Sequence, residues 1–216
     1  MKFQTVEIND VLDIHIRSLR DLQEFDAGDK SSEALGISSA QWPMFGVVWA
    51  SSLQLAVAMS RIDLKNRRIM EIGCGLGLAS LVLNTRGADI TATDRHPMAQ
   101  EMLDFNVDLN GGRRIPFVRT DWADMSTTLS RYDLIIGSDL MYERGHAEAV
   151  SGFIDRHANP MCETLLADPG RSYCGRYDKC MQAFGFRRIA AVHPPNRHDS
   201  SARAQMLLHR RDVNPA

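Results

Sequence analysis

Glu71-Ile-Gly73-Cys-Gly75-Leu-Gly77 is the stretch of this 216-residue chain best suited to chemistry, because an apolar run precedes it and an amphipathic run follows it. Glycines between a strand and a helix let backbone approach a ligand and turn sharply, so that the N–H groups of the helix's first turn face that ligand. A nucleotide-like cofactor is implied. Asp94 ends the next apolar run, where a carboxylate can accept both hydroxyls of a ribose. Asp121 and Trp122 end the third, where an acidic group can meet an adenine amine and an indole can cover its face. Spacing then separates the cofactor classes. The dinucleotide fingerprint requires glycine at the position that Leu78 occupies. Glu71 adds negative charge beside the loop, which disfavours a pyrophosphate and suits a ligand carrying an amino group and a sulfonium. S-adenosylmethionine has both.

Asp139 and Tyr142 follow the fourth apolar run, at the end of a strand where open α/β sheets bind ligands. Methyl transfer is an in-line displacement that needs a free lone pair, a close approach and no competing water. In that chemistry Asp139 orients an incoming ammonium and Tyr142 walls and hydrogen-bonds the acceptor, with the proton leaving through water. Taken singly, Asp139 reads as a cap on the next segment and Tyr142 as a core aromatic; their pairing at this point in the strand order favours the catalytic reading. Arg171 has two equal readings, a substrate contact or a partner for a surface carboxylate. The four cysteines form no C-x-x-C pair, and His193 and His198 lie in a proline-rich turn without a carboxylate or thiol at ligand spacing, so no metal site is expected. Cys74 reads as packing within the glycine loop.

These residues need a scaffold of alternating strands and helices. From residue 67 onward, strand-length apolar runs (67–73, 89–94, 115–121, 132–138, 163–168, 186–193 and 203–210) alternate with helical stripes such as Leu78, Leu81 and Val82, or Met98, Met102, Phe105 and Leu109. The expectation is an α/β, Rossmann-like sheet of seven mostly parallel strands with an antiparallel last strand and helices on both faces. A well-buried helix over 47–62 precedes it. Val6, Ile8, Val11, Ile14 and Ile16 suggest a short β ribbon, and 26–40 reads as a loop or lid. The chain therefore divides into a 1–46 extension and a 47–216 catalytic domain. With 25 basic and 27 acidic side chains it lacks the positive field of a dedicated nucleic-acid binder. No apolar run is read as a membrane span, and no secretory signal is read at the amino terminus, so a cytoplasmic location is expected.

Glu71 to Gly77, Thr93-Asp94, Asp121-Trp122, Ser138-Asp139-Leu-Met-Tyr142 and the upstream Trp49 together resemble the seven-strand S-adenosylmethionine-dependent methyltransferases. Within that class they are similar to the lysine methyltransferase family marked by D-x-x-Y after strand four, methyltransferase family 16. Ala167-Asp-Pro-Gly-Arg171 is similar to the branch that modifies lysines of the electron-transfer flavoprotein beta subunit, whereas Phe45-Gly-Val-Val-Trp49 departs from that branch's more aromatic, proline-containing approach. The resemblance implies that Glu71, Gly73, Gly75 and Gly77 hold the methionine part of the cofactor, Asp94 the ribose, and Asp121 and Trp122 the adenine. It also implies that Ser138 and Trp49 line the pocket near the reactive end. A protein presenting a lysine is the implied partner and S-adenosylhomocysteine the product. Adenine amino-methyltransferases often carry D-P-P-Y or N-P-P-Y at this point, and the missing prolines argue against nucleic acid. Two rival readings are a methyltransferase for a small heteroaromatic, nicotinamide-like amine and a non-catalytic protein that binds S-adenosylmethionine.

Overall fold

The computed structural model describes residues 1–21, 36–38, 41–189 and 204–212. An antiparallel ribbon of β1 (Lys2–Asn9) and β2 (Leu12–Ser18) opens the chain, and a 3-10 turn (Trp42–Gly46) leads into α1 (Ala50–Met59). There follow β3 (Arg68–Ile72), α2 (Leu78–Thr85), β4 (Asp89–Asp94), α3 (Ala99–Leu109), β5 (Phe117–Arg119), β6 (Tyr132–Ser138), α4 (His146–His157), β7 (Ala158–Asp168), α5 (Cys174–Ala183), β8 (Arg187–Ile189) and β9 (Gln205–Arg211). The seven strands β3 to β9 form one sheet in the order β5-β4-β3-β6-β7-β9-β8, in which β9 runs antiparallel to both its neighbours. This is the expected fold.

Side-chain alternation along the central strands sorts the core into two faces. Ile69 of β3 and Leu134 and Ile136 of β6 join the cluster under α1, α2, α3 and the ribbon, whereas Met70, Ile72 and Ile135 join the cluster under α4 and α5. Glu71 shares the face of Ile69, and so points beneath α2. The order reverses between β3 and β6, the kind of switch point where the carboxyl ends of parallel strands splay and leave a crevice.

Three local expectations change. Phe105 and Leu109 are not core residues of α3: each is 37% exposed, and Phe105 instead meets Phe3 and the Arg17 guanidinium, while Leu103 and Val107 take the buried face. Val11 is the exposed turn of the ribbon rather than part of its apolar side. Strand β7 begins at Ala158, directly after α4, and its regular pairing with β6 resumes only at Glu163, where the sequence placed the strand. The ribbon docks through Asn106 of α3 and Asn110 just past its end, whose side-chain oxygens accept the Arg17 and His15 backbone N–H groups at 2.8 Å each.

Trp42–Met59 is an 18-residue stretch apolar enough by composition to cross a membrane, with mean hydropathy 1.3, which the sequence reading did not anticipate. The chain divides it. Val47 and Trp49 are extended, and the ten residues of α1 would reach about 15 Å, half a bilayer core. Leu55, Ala56 and Met59 of this helix are fully buried against the sheet. The 26–40 loop falls mostly outside the described residues, as does the 193–198 turn.

Candidate active site

The loop from β3 to α2 is held by its own backbone: the Cys74 N–H donates to Thr93 O at 3.0 Å and the Gly77 N–H to Cys74 O at 2.8 Å. Gly73, Gly75 and Gly77 have φ of +59°, +53° and +71°, in the left-handed region that side chains disfavour. At Gly75 a Cβ would also stand 2.8 Å from the Phe45 carbonyl oxygen, so the loop passes directly against the 3-10 turn.

Gly77 caps α2 but has no side chain to satisfy the helix's first N–H groups. Glu71 does this from the strand below: its Oε2 accepts the Ser80 N–H at 2.9 Å and the Ser80 hydroxyl. The carboxylate is 2% exposed and is not part of the cavity wall. Its position makes it a non-local helix cap that fixes the loop from beneath α2, outside the cavity wall where the other motif residues stand.

A cavity of about 370 Å³ opens at the carboxyl ends of β3, β4 and β6 and beside the loop that follows β5, within the range of small-molecule sites. Trp49, Gly73, Gly75, Gly77, Asp94, Asp121, Trp122, Ser138, Asp139 and Tyr142 all line it. Trp49 is oriented by its indole N–H, which donates to Met44 O at 2.9 Å. Asp94 accepts the Gly75 N–H on one oxygen and the His96 N–H on the other, both at 2.8 Å, which ties the glycine loop to β4 and still leaves each oxygen a lone pair. Burial pushes the Asp94 carboxyl above its usual range, against those N–H groups.

Asp139 adopts φ +58°, unusual for a residue with a side chain and recurrent at functional turns. Its N–H donates to Ala167 O at 2.8 Å, and Oδ1 accepts Arg171 Nε at 2.8 Å and Nη2 at 2.6 Å. Arg171 thus pairs with the cavity carboxylate, a third outcome beside its two readings. Leu140 wedges beneath the turn, because Cβ atoms at Gly73 and Gly137 would each lie 2.7 Å from its methyl groups. Tyr142 packs edge-on to His146 at 4.5 Å, and burial raises its phenol above the ordinary range.

Several wall residues have no motif and were missed. His96 stacks on Phe45 at 3.7 Å between ring centres, and its Nδ1 accepts the Met98 N–H at 3.2 Å. His146 donates from Nδ1 to Leu140 O at 2.8 Å, since a carbonyl can only accept. Around the rim, Arg95 stands 3.6 Å from Asp121 and donates to Gln41, which in turn donates to Glu143. Only the helical position of His146 after a D-x-x-Y turn offered a sequence signal for it.

Burial raises the Glu71 carboxyl from 4.5 to about 7, whereas burial followed by the nearby Arg95 charge lowers His96 from 6.5 to about 4. Between pH 4.5 and 6.5 the folded protein holds a proton on Glu71 that the unfolded chain lacks, and the unfolded chain holds one on His96 that the folded protein lacks. Their contributions to the pH slope of stability oppose each other. Glu71→Gln should uncover the His96 half: the fall in stability as the pH drops from 6.5 toward 4.5 becomes steeper than in the wild type by ~1.4 kcal/mol per unit. Urea midpoints across this range check it, and a variant whose pH slope matches the wild type would refute the assignment.

A family model described as lysine methyltransferase matches residues 31–171. The chain belongs to this family. It is 36% identical over 115 residues to the protein N-lysine methyltransferase METTL21A of Danio rerio, covering 48% of this chain and 52% of that one. With EEF1A lysine methyltransferase 3 of Mus musculus it shares 30% identity over 151 residues, 68% of this chain and 62% of the relative. The chain spans about half the length of the first of these relatives. Among solved structures, the 16S rRNA N2 G1207 methyltransferase of T. Thermophilus, in complex with AdoMet and guanosine, superimposes with TM-score 0.63 at 14% identity, over 99% of this chain and 50% of that one. At that identity the likeness concerns the fold alone.

Proposed function

We propose that the protein transfers a methyl group from S-adenosylmethionine to the amine of a lysine side chain on a protein partner. The observation that carries this reading is the convergence, in one cavity, of the glycine loop and Asp94 on one side with Asp139 and Tyr142 on the other. Membership in the lysine methyltransferase family supports the acceptor class, and the names of the similar enzymes support a protein as its bearer.

The wall fits the cofactor in kind. The loop that a Cβ at Gly75 would obstruct admits close backbone approach, Asp94 keeps acceptor capacity for ribose hydroxyls, and Asp121 and Trp122 offer a polar edge and an aromatic face. Bound there, S-adenosylmethionine supplies a methyl carbon made electrophilic by its sulfonium. The chain's own residues do the rest. Trp49, Trp122 and Tyr142 narrow the cavity and exclude water, while Asp139 aligns the amine and Tyr142 walls it on the far side. A lysine amine has an ordinary pKa near ~10.4 and must lose a proton before its lone pair can form the new N–C bond as the C–S bond breaks. That proton leaves through water at the cavity mouth.

Incubation of the purified protein with tritiated S-adenosylmethionine and a lysate tests the reading. The expected result is label in protein, with mass spectrometry placing steps of ~14 Da on one lysine peptide, the mass of each added methylene. Label confined to a low-mass fraction would favour a small-amine acceptor. Failure of calorimetry to detect uptake of S-adenosylmethionine or its demethylated product would leave only a non-enzymatic role.

A further inference from the structure

We propose that Arg171 is a positioning residue of the acceptor site: it offsets the charge of Asp139, so that the carboxylate can orient an amine without holding that amine in its protonated form. The inference rests on the lysine-transfer reading and gives a role in that site to a residue outside the D-x-x-Y turn itself.

Arg171 does not line the cavity, whereas Asp139 does. Its guanidinium reaches Asp139 from behind, with Nε at 2.8 Å and Nη2 at 2.6 Å from the same oxygen, Oδ1, so the guanidinium leaves Oδ2 unused. The Asp139 side chain is 13% exposed and that of Arg171 34%, so the pair is only partly screened by water. The backbone on both sides is fixed to the end of β7. Asp139 N–H donates to Ala167 O, while Asp168 Oδ1 accepts the Gly170 N–H at 2.8 Å and the Arg171 N–H at 2.7 Å. Asp168 is 1% exposed, so the turn that aims Arg171 is anchored in the interior. This arrangement differs from a surface pair between two freely moving side chains, because both backbones are held before the side chains meet.

The chemistry explains why such a pair suits the reaction. An unbalanced carboxylate beside an amine favours the ammonium, which has no lone pair to attack a methyl carbon. Arginine stays charged throughout the working pH range and grips a carboxylate with a planar fork, so it offsets the negative charge without taking part in proton transfer. Asp139 then acts on the incoming amine as one end of a dipole. It keeps its hydrogen-bonding direction and loses most of its preference for a cation. Asp94, Arg95, Asp121, Arg144 and His146 also line the cavity and bear charge or titrate, but they are common to every variant compared below.

Sinefungin carries an amine where S-adenosylmethionine carries its methylated sulfur, and S-adenosylhomocysteine carries an uncharged sulfide there. The ratio of their affinities at pH 7, measured by calorimetry, therefore reports how strongly this site prefers a cation. In Arg171→Gln the ratio should shift about tenfold toward sinefungin, the equivalent of one pKa unit in the bound amine. In Asp139→Asn, where Arg171 is left unbalanced, it should shift by a similar factor the other way. A loosened fold would weaken both ligands alike and leave the ratio alone. Ratios within twofold of the wild type in both variants, or a change of the same sign in both, would overturn the proposal; should Arg171→Gln fail to fold, the Asp139→Asn ratio decides by its sign. If neither ligand binds the wild type, the underlying cofactor reading falls, and this one with it.

Discussion

Replacing Gly75 with valine should lower affinity for S-adenosylmethionine by about 100-fold or more, ~2.7 kcal/mol, without unfolding the protein. Two costs combine at this position. A β-branched residue is strongly disfavoured at φ +53°, and its Cβ would stand 2.8 Å from the Phe45 carbonyl oxygen. The obstacle is backbone rather than a flexible side chain, so relief must come from moving the loop or the 3-10 turn. Either movement changes the cavity, because Phe45 supports the His96 ring and Asp94 holds the Gly75 N–H. Calorimetric titration beside a circular dichroism melt separates binding from folding. A variant that binds within tenfold of the wild type would show that the cofactor lies elsewhere.

Asp139→Asn should slow protein labelling by about 100-fold while affinity for the uncharged S-adenosylhomocysteine stays within about threefold, because the change removes the charge that aligns the acceptor and leaves the glycine loop alone. Asparagine is the informative replacement. It tolerates the left-handed conformation at φ +58°, whereas alanine would add backbone strain to the lost carboxylate and confuse the two. Initial rates of tritium transfer to lysate protein, normalised to bound cofactor, measure the effect. Labelling at the wild-type rate would remove Asp139 from the mechanism.

The sheet was legible because its strands are short apolar runs, and the polar residues that end β4 and β6, Asp94 and Ser138, stand in the cavity wall beside Gly73, the residue after β3. Asp94, Asp121 and Asp139 needed only their place in the strand order. The motif named Glu71 but not its protein partner, although alternation along β3 puts it on the face of Ile69, under the helix, where it meets Ser80. The stripe in α3 failed for a different reason. Phe105 and Leu109 have helical spacing, but that side of the helix lies beside the ribbon, and an apolar pattern alone does not say which of two partners a face meets. The partners of His96 and Arg171 were beyond spacing arguments, because each meets Phe45 or Asp139 across a gap in the chain that only the packed structure closes, whereas His146 stays within six residues of Leu140 and Tyr142.

The wedge made by Leu140 gives the two halves of the cavity a common mechanical element. Its two methyl groups occupy the room that side chains at 73 and 137 would need, one in the glycine loop and the other in the strand that delivers Asp139. A Cβ at 73 would also meet Trp122 at 3.2 Å and one at 137 the Ile72 carbonyl oxygen at 3.0 Å, so trimming Leu140 alone frees neither position. The smallness of 73 and 137 is thus enforced from two sides, and the leucine between them sets the spacing of the loop after β3 and the end of β6.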